Sequence, residues 1–119
     1  MNKKIYDANN YQLDSARTLV DYPNFNITPH EIMLTWNVIG LAGEAGEVAE
    51  LIKKGIFHKH GINTEELKKE LGDCLWYLSA LCTILDIPLQ EIMLQNIEKL
   101  KIRYPNGYNS DDSKKRVDL

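Results

Sequence analysis

Two pairs of acidic residues, Glu44 with Glu47 and Glu70 with Asp73, constrain this chain more than any other feature of its sequence. Each pair has i, i+3 spacing, so on a helix its members share one face. At about 100° per residue, the stripe of Glu44 and Glu47 also holds Met33, Gly40, Leu41, Val48 and Leu51. The stripe of Glu70 and Asp73 also holds Leu67, Cys74, Tyr77, Leu78, Leu81 and Ile84. Glu50, Lys53 and Lys54 face outward on the first helix, and Lys68, Lys69, Ser79 and Thr83 point elsewhere on the second. A single Glu on a helix is usually a solvated surface residue. Two pairs on apolar stripes are different, because an unneutralised carboxylate there is costly.

The punctuation of the chain marks helices throughout. Tyr6 to Val20 is mildly helical and ends near Asp21-Tyr22-Pro23, followed by the loop Asn24–Ile27. Thr28-Pro29-His30-Glu31 combines an N-cap, a proline suited to the first turn and a capping box. The helix it opens is expected to run to about Lys54 and stop at Gly55. Phe57 to Ile62 reads as a loop. Asn63 or Thr64 caps a third helix, which starts with Glu65-Glu66 and continues through Leu85. Asp86-Ile87-Pro88 turns into a fourth, ending near Tyr104-Pro105. Residues 1–108 therefore read as one all-α domain, a four-helix bundle with short links. Residues 109–119, with Asp111-Asp112 and Lys114-Lys115-Arg116, read as a polar, mobile tail. Trp36, Trp76 and the many Leu and Ile residues exceed what one small bundle hides, so a homo-oligomer is expected.

Short links also place the acidic pairs. Glu44/Glu47 lies about nine residues before the turn and Glu70/Asp73 about eight after Thr64, so at about 1.5 Å per residue both reach nearly one height in an antiparallel hairpin. Four carboxylates converging there repel one another unless protons or cations neutralise them. Oxygen-only donors select hard ions, Mg²⁺ first, with Mn²⁺ or Ca²⁺ as alternatives. A di-iron site would want Glu-x-x-His motifs. Neither pair contains His, and His30, His58 and His60 lie off these faces or in a loop.

Other residues gain meaning beside such a cluster. Gly40, Gly43 and Gly46 fall within the second helix, where each costs about 0.5–1 kcal/mol relative to Ala. They signal a close approach, by a packed helix or by a ligand. Asn96, Lys99 and Arg103 form one line on the fourth helix and could hold phosphate oxygens; otherwise they are a solvated basic helix end. Tyr77, one turn beyond Asp73, could stack on a base or hydrogen-bond a sugar, or fill the core. Trp36 reads as core, with a base-pocket wall as the alternative, and Trp76 as an interface residue. Cys74 and Cys82 are eight residues apart. On one helix that is about 12 Å, too far for a disulfide, so they read as small core residues.

The net charge of −3 argues against a general nucleic-acid binder. No apolar run reaches the roughly 20 residues that span a membrane, and the first residues lack the apolar core of a signal peptide. Cytoplasmic residence is expected.

The segment Gly40-Leu41-Ala42-Gly43-Glu44-Ala45-Gly46-Glu47-Val48-Ala49-Glu50, followed by Lys69-Glu70-Leu71-Gly72-Asp73, resembles the MazG-like nucleoside triphosphate pyrophosphohydrolases. That family carries Glu-x-x-Glu, a variable gap, then Glu-x-x-Asp. The run from Asn96 to Pro105 is similar to the family's C-terminal helix, and the likeness covers roughly residues 30 to 108. The resemblance implies an all-α dimer or tetramer and a metal held by Glu44, Glu47, Glu70 and Asp73. It implies cleavage of a (d)NTP between the α and β phosphates, giving (d)NMP and pyrophosphate, as nucleotide-pool house-cleaning. Tyr77, Asn96, Lys99 and Arg103 would then contact substrate. The alternatives are phosphoribosyl-ATP pyrophosphohydrolysis, or a non-catalytic helical bundle that binds a nucleotide or a protein.

Overall fold

The computed structural model describes residues 6–20 and 26–115. The expected end of the first helix at Asp21–Pro23, the loop residues Asn24 and Phe25, the first five residues and the last four lie outside that range. Five helices follow in order: α1 Ala8–Ala16, α2 Pro29–Phe57, α3 Thr64–Ile84, α4 Leu89–Arg103 and α5 Ser110–Lys115. The all-α class therefore holds.

Local chemistry accounts for most helix ends. Thr28 and Glu31 form the capping box: the Glu31 N–H donates to Thr28 Oγ1 at 3.1 Å, and the Thr28 N–H donates to Glu31 Oε1 at 3.1 Å. At α3, Asn63 Oδ1 accepts from the Glu65 and Glu66 N–H groups at 3.1 and 3.2 Å. At α1, Asp7 Oδ1 accepts from the Asn10 N–H at 2.9 Å.

One end differs from expectation. Gly55 does not stop α2, which runs on to Phe57. The chain reverses instead through Lys59 and Gly61, at φ 58° and 76°, the left-handed region where glycine is at ease. Gly55 serves close approach: a Cβ there would lie 2.9 Å from Ile62 Cγ1 and 3.0 Å from the Gly61 carbonyl oxygen. Within the described part of the polar tail the chain forms one short helix. Asn109 Oδ1 accepts from the Asp112 N–H at 2.7 Å and opens the short helix α5.

α2 and α3 form the packed hairpin of the chain. Its facing partners run from Gly55 with Ile62 at the turn, through Glu44 with Asp73, to Gly40 with Tyr77. Numbers fall on one helix as they rise on the other, so the helices are antiparallel. The fourth helix does not close a bundle against them, because between α3 and α4 the chain turns by 109°. Among the described residues no single helix is long and apolar enough to cross a membrane.

The result is an open chain. Its radius of gyration is 21.7 Å, against about 13.5 Å for a compact domain of this length. Its accessible surface is 10607 Å², against roughly 6,600 Å² for a compact monomer of its mass. Among the described residues only Cys82 and Asn37 are buried, and neither is fully enclosed. Trp36, expected in the core, is 70% exposed. Ile92, Met93, Leu94 and Ile97 leave α4 with an uncovered apolar side.

Candidate metal centre

The hairpin register brings Glu44 of α2 against Glu70 and Asp73 of α3. One carboxylate oxygen from each lies within 4.8 Å of the others. Glu44 and Glu70 are partly buried, and Asp73 is exposed. Glu47 sits one turn along α2, exposed and outside this group of three, near enough for its charge to act on Glu44. The structure thus gathers three of the four expected carboxylates tightly and leaves the fourth at the margin.

Glu44 feels this crowding most. Its carboxyl is pushed up to about 7 from an ordinary 4.5. The largest cause is its hydrogen bond with Glu70, followed by desolvation and then the charges of Glu70, Asp73 and Glu47. Two carboxylates can share a hydrogen bond only when one carries a proton, so without a cation Glu44 keeps its proton near neutrality. Glu44 Oε2 is enclosed and has no hydrogen-bond partner. Glu50, six residues further along α2, shows the ordinary alternative. It pairs with Lys53 at 3.1 Å and Lys54 at 3.5 Å, and its carboxyl is held low by them. No lysine pairs with Glu44, Glu70 or Asp73 among the described residues.

An enclosed oxygen without a donor, beside two further carboxylates and no lysine, suits a divalent cation. The donor set is all oxygen, which fits hard ions such as Mg²⁺ or Mn²⁺.

Tyr77 lies beside this centre. Its ring rests over Gly40, where a Cβ would collide with it. Of the three α2 glycines, Gly40 is thus the one packed within the chain. A Cβ at Gly43 or Gly46 would meet nothing within 4 Å. Tyr77 also meets Trp76 edge to face, with centroids 5.1 Å apart. Together with Met33, Trp36 and Asn37 these rings line a hollow at the far side of Gly40 from the acids.

Asn96 and Lys99 line a separate hollow, formed by α4 alone with Ile92, Gln95, Glu98 and Ile102. Asp73 to the end of α3 is about 16 Å of helix, after which the chain turns away. Asn96, Lys99 and Arg103 of one chain therefore stand roughly 15–20 Å or more from its own acidic centre. The structure does not bring them to the carboxylates of the same chain.

Asn37 was not singled out by sequence. The signal existed: it lies seven residues before Glu44, on the same stripe, and is the one amide there. It is 6% exposed, and its Nδ2 donates to the Met33 carbonyl at 2.7 Å.

The family model of the MazG nucleotide pyrophosphohydrolase domain matches residues 34–108. That span includes all four acidic positions, Tyr77 and α4. The chain is also similar to the "Gene 37 protein" of Mycobacterium phage L5, 36% identical over 101 residues, covering 82% of this chain and 88% of the phage protein. No solved structure matches significantly.

Proposed function

Because the chain belongs to the MazG nucleotide pyrophosphohydrolase domain family, we propose that it hydrolyses nucleoside triphosphates with Mg²⁺, releasing a nucleoside monophosphate and pyrophosphate. The observation that carries this reading is the convergence of Glu44, Glu70 and Asp73, whose crowding pushes the Glu44 carboxyl up to about 7. Bound there, a divalent cation would offset the triphosphate's charge and polarise the phosphate under attack. Mn²⁺ fits the same donors.

The chain's own groups have distinct tasks. Glu44, Glu70 and Asp73 hold the cation. Glu47, exposed at the margin, is placed to orient or deprotonate the attacking water. Tyr77, docked on Gly40, stands where the sugar would pass. Lys99, Arg103 and Asn96 bind phosphate or sugar from a second subunit, since their own chain holds them far from its acids. The open α4 face and the excess surface support such a homodimer or homotetramer. Nucleotide-pool house-cleaning in the cytoplasm is the role that fits, with neither nucleic acid nor membrane as partner.

Glu70→Gln tests the metal assignment. It keeps the shape and removes the charge. Mg²⁺-dependent pyrophosphate release should fall at least 100-fold, an effect of the size seen when charge stabilisation is removed from an active site. Release at the wild-type rate would refute the assignment.

A further inference from the structure

We propose that Asn37 reads the base of the nucleotide whose phosphates meet the carboxylates, a step that rests on the pyrophosphohydrolase reading. A buried polar side chain normally has its hydrogen bonds satisfied. Asn37 satisfies only part of its capacity. Nδ2 spends one N–H on the Met33 carbonyl, which fixes the amide's orientation. Nothing among the described residues donates to Oδ1. Nor is Oδ1 sealed away, since it is not among the fully enclosed side-chain atoms that lack a partner. Asn37 therefore offers an acceptor and its second N–H to the hollow.

The walls of that hollow match the same ligand. Trp36, Trp76 and Tyr77 supply aromatic surface and Met33 a polarisable side chain. Two indoles, a phenol and one oriented amide suit a flat ligand with apolar faces and a hydrogen-bonding edge. A nucleobase is such a ligand, and aromatic stacking with edge hydrogen bonds is how unstacked bases are recognised. Position agrees as well. Asn37 and Glu44 are seven residues apart on one helix, about 10 Å along its axis. That is close to the length of a nucleoside, so a base at Asn37 leaves its phosphates at the acids. Gly40 lies between them, and the Tyr77 ring over it sits at the height of the sugar.

The two tryptophans of the chain both line the hollow, so intrinsic fluorescence reports its occupancy. The full chain, with metal removed by EDTA, is titrated with nucleoside monophosphates of each base. Saturable quenching is expected, with one base preferred. Asn37→Ala should weaken the preferred base about tenfold and level the ranking, with helical circular dichroism retained. If Asn37→Ala unfolds, Asn37→Ser keeps a hydroxyl for the Met33 carbonyl and removes the amide edge, and the same levelling is expected. Trp36→Leu, at an exposed wall, should weaken all bases alike and keep their order. Three results would overturn the proposal: no quenching by any base, an unchanged ranking in the folded Asn37 variant, or fluorescence that follows protein concentration alone. The last would mean that a second copy of the chain covers the hollow. Pyrophosphate release with Mg²⁺ is measured in parallel. Its absence refutes the pyrophosphohydrolase reading, whereas release with a base ranking indifferent to Asn37 refutes this inference alone.

Discussion

Single residues carry the chemistry, and Glu44 is the most informative of them. Its carboxyl is raised to about 7 in the folded chain against about 4.5 unfolded, so between those values the folded state binds the extra proton. Stability therefore rises as pH falls from above 7 toward 4.5, and is lost as pH rises through 7. Thermal unfolding of the metal-free protein should show a melting temperature that drops across that window, and Glu44→Gln should flatten the drop. Affinity for a cation should run the other way, strengthening as pH rises through 7, because the ligand must shed its proton first. Isothermal titration with Mg²⁺ at pH 6 and pH 8 reads it directly. A second residue-scale test concerns Gly40. A methyl group there collides with the Tyr77 ring, so Gly40→Ala should cost about 1–3 kcal/mol in urea unfolding, as overpacking does. Gly40→Ala with Tyr77→Ala should recover part of that, a coupling that a double-mutant cycle measures. The acids were legible in sequence because carboxylates on apolar stripes demand an explanation. Asn37 lay on the same stripe and went unmarked, since one buried amide is common and only its open acceptor sets it apart.

Helix ends followed the sequence where side chains cap them. The Thr28–Glu31 box and the Asn63 cap were readable residue by residue, because each rests on a hydrogen bond to a neighbour a few positions away. Gly55 was not. Glycine past a periodic run ordinarily ends a helix, but here the tertiary approach of Gly61 and Ile62 is what excludes a side chain. The short α5 was missed because a six-residue polar segment gives no periodicity to count. Two variants test this account. Asn63→Ala removes the acceptor for two N–H groups and should lower stability by about 0.5–2 kcal/mol. Gly43→Ala, with open space around its Cα, should raise the stability of α2 by about 0.5–1 kcal/mol. A loss of stability at Gly43 instead would place a ligand or a second chain against that position.

At the scale of the whole molecule, one chain leaves many large apolar side chains exposed. Periodicity shows which face of a helix is apolar but not what covers it, so the direction taken by α4 could not be read from sequence. The structure separates the acidic centre from Asn96, Lys99 and Arg103 and leaves the α4 face bare. Light scattering should therefore give a mass of at least two chains. Mixing Glu70→Gln with Lys99→Ala, each inactive alone, should restore part of the activity if each site draws on two subunits; no restoration would mean that every site is built within one chain. The central claim is simpler than either. It is that this acidic centre serves pyrophosphate release from nucleoside triphosphates. The most direct measurement incubates the full chain with each NTP and dNTP, with Mg²⁺ and with EDTA, and quantifies both products. The account predicts monophosphate and pyrophosphate in equal amounts, with Mg²⁺ only, for at least one base. Diphosphate with inorganic phosphate, or no product from any nucleotide, would contradict it.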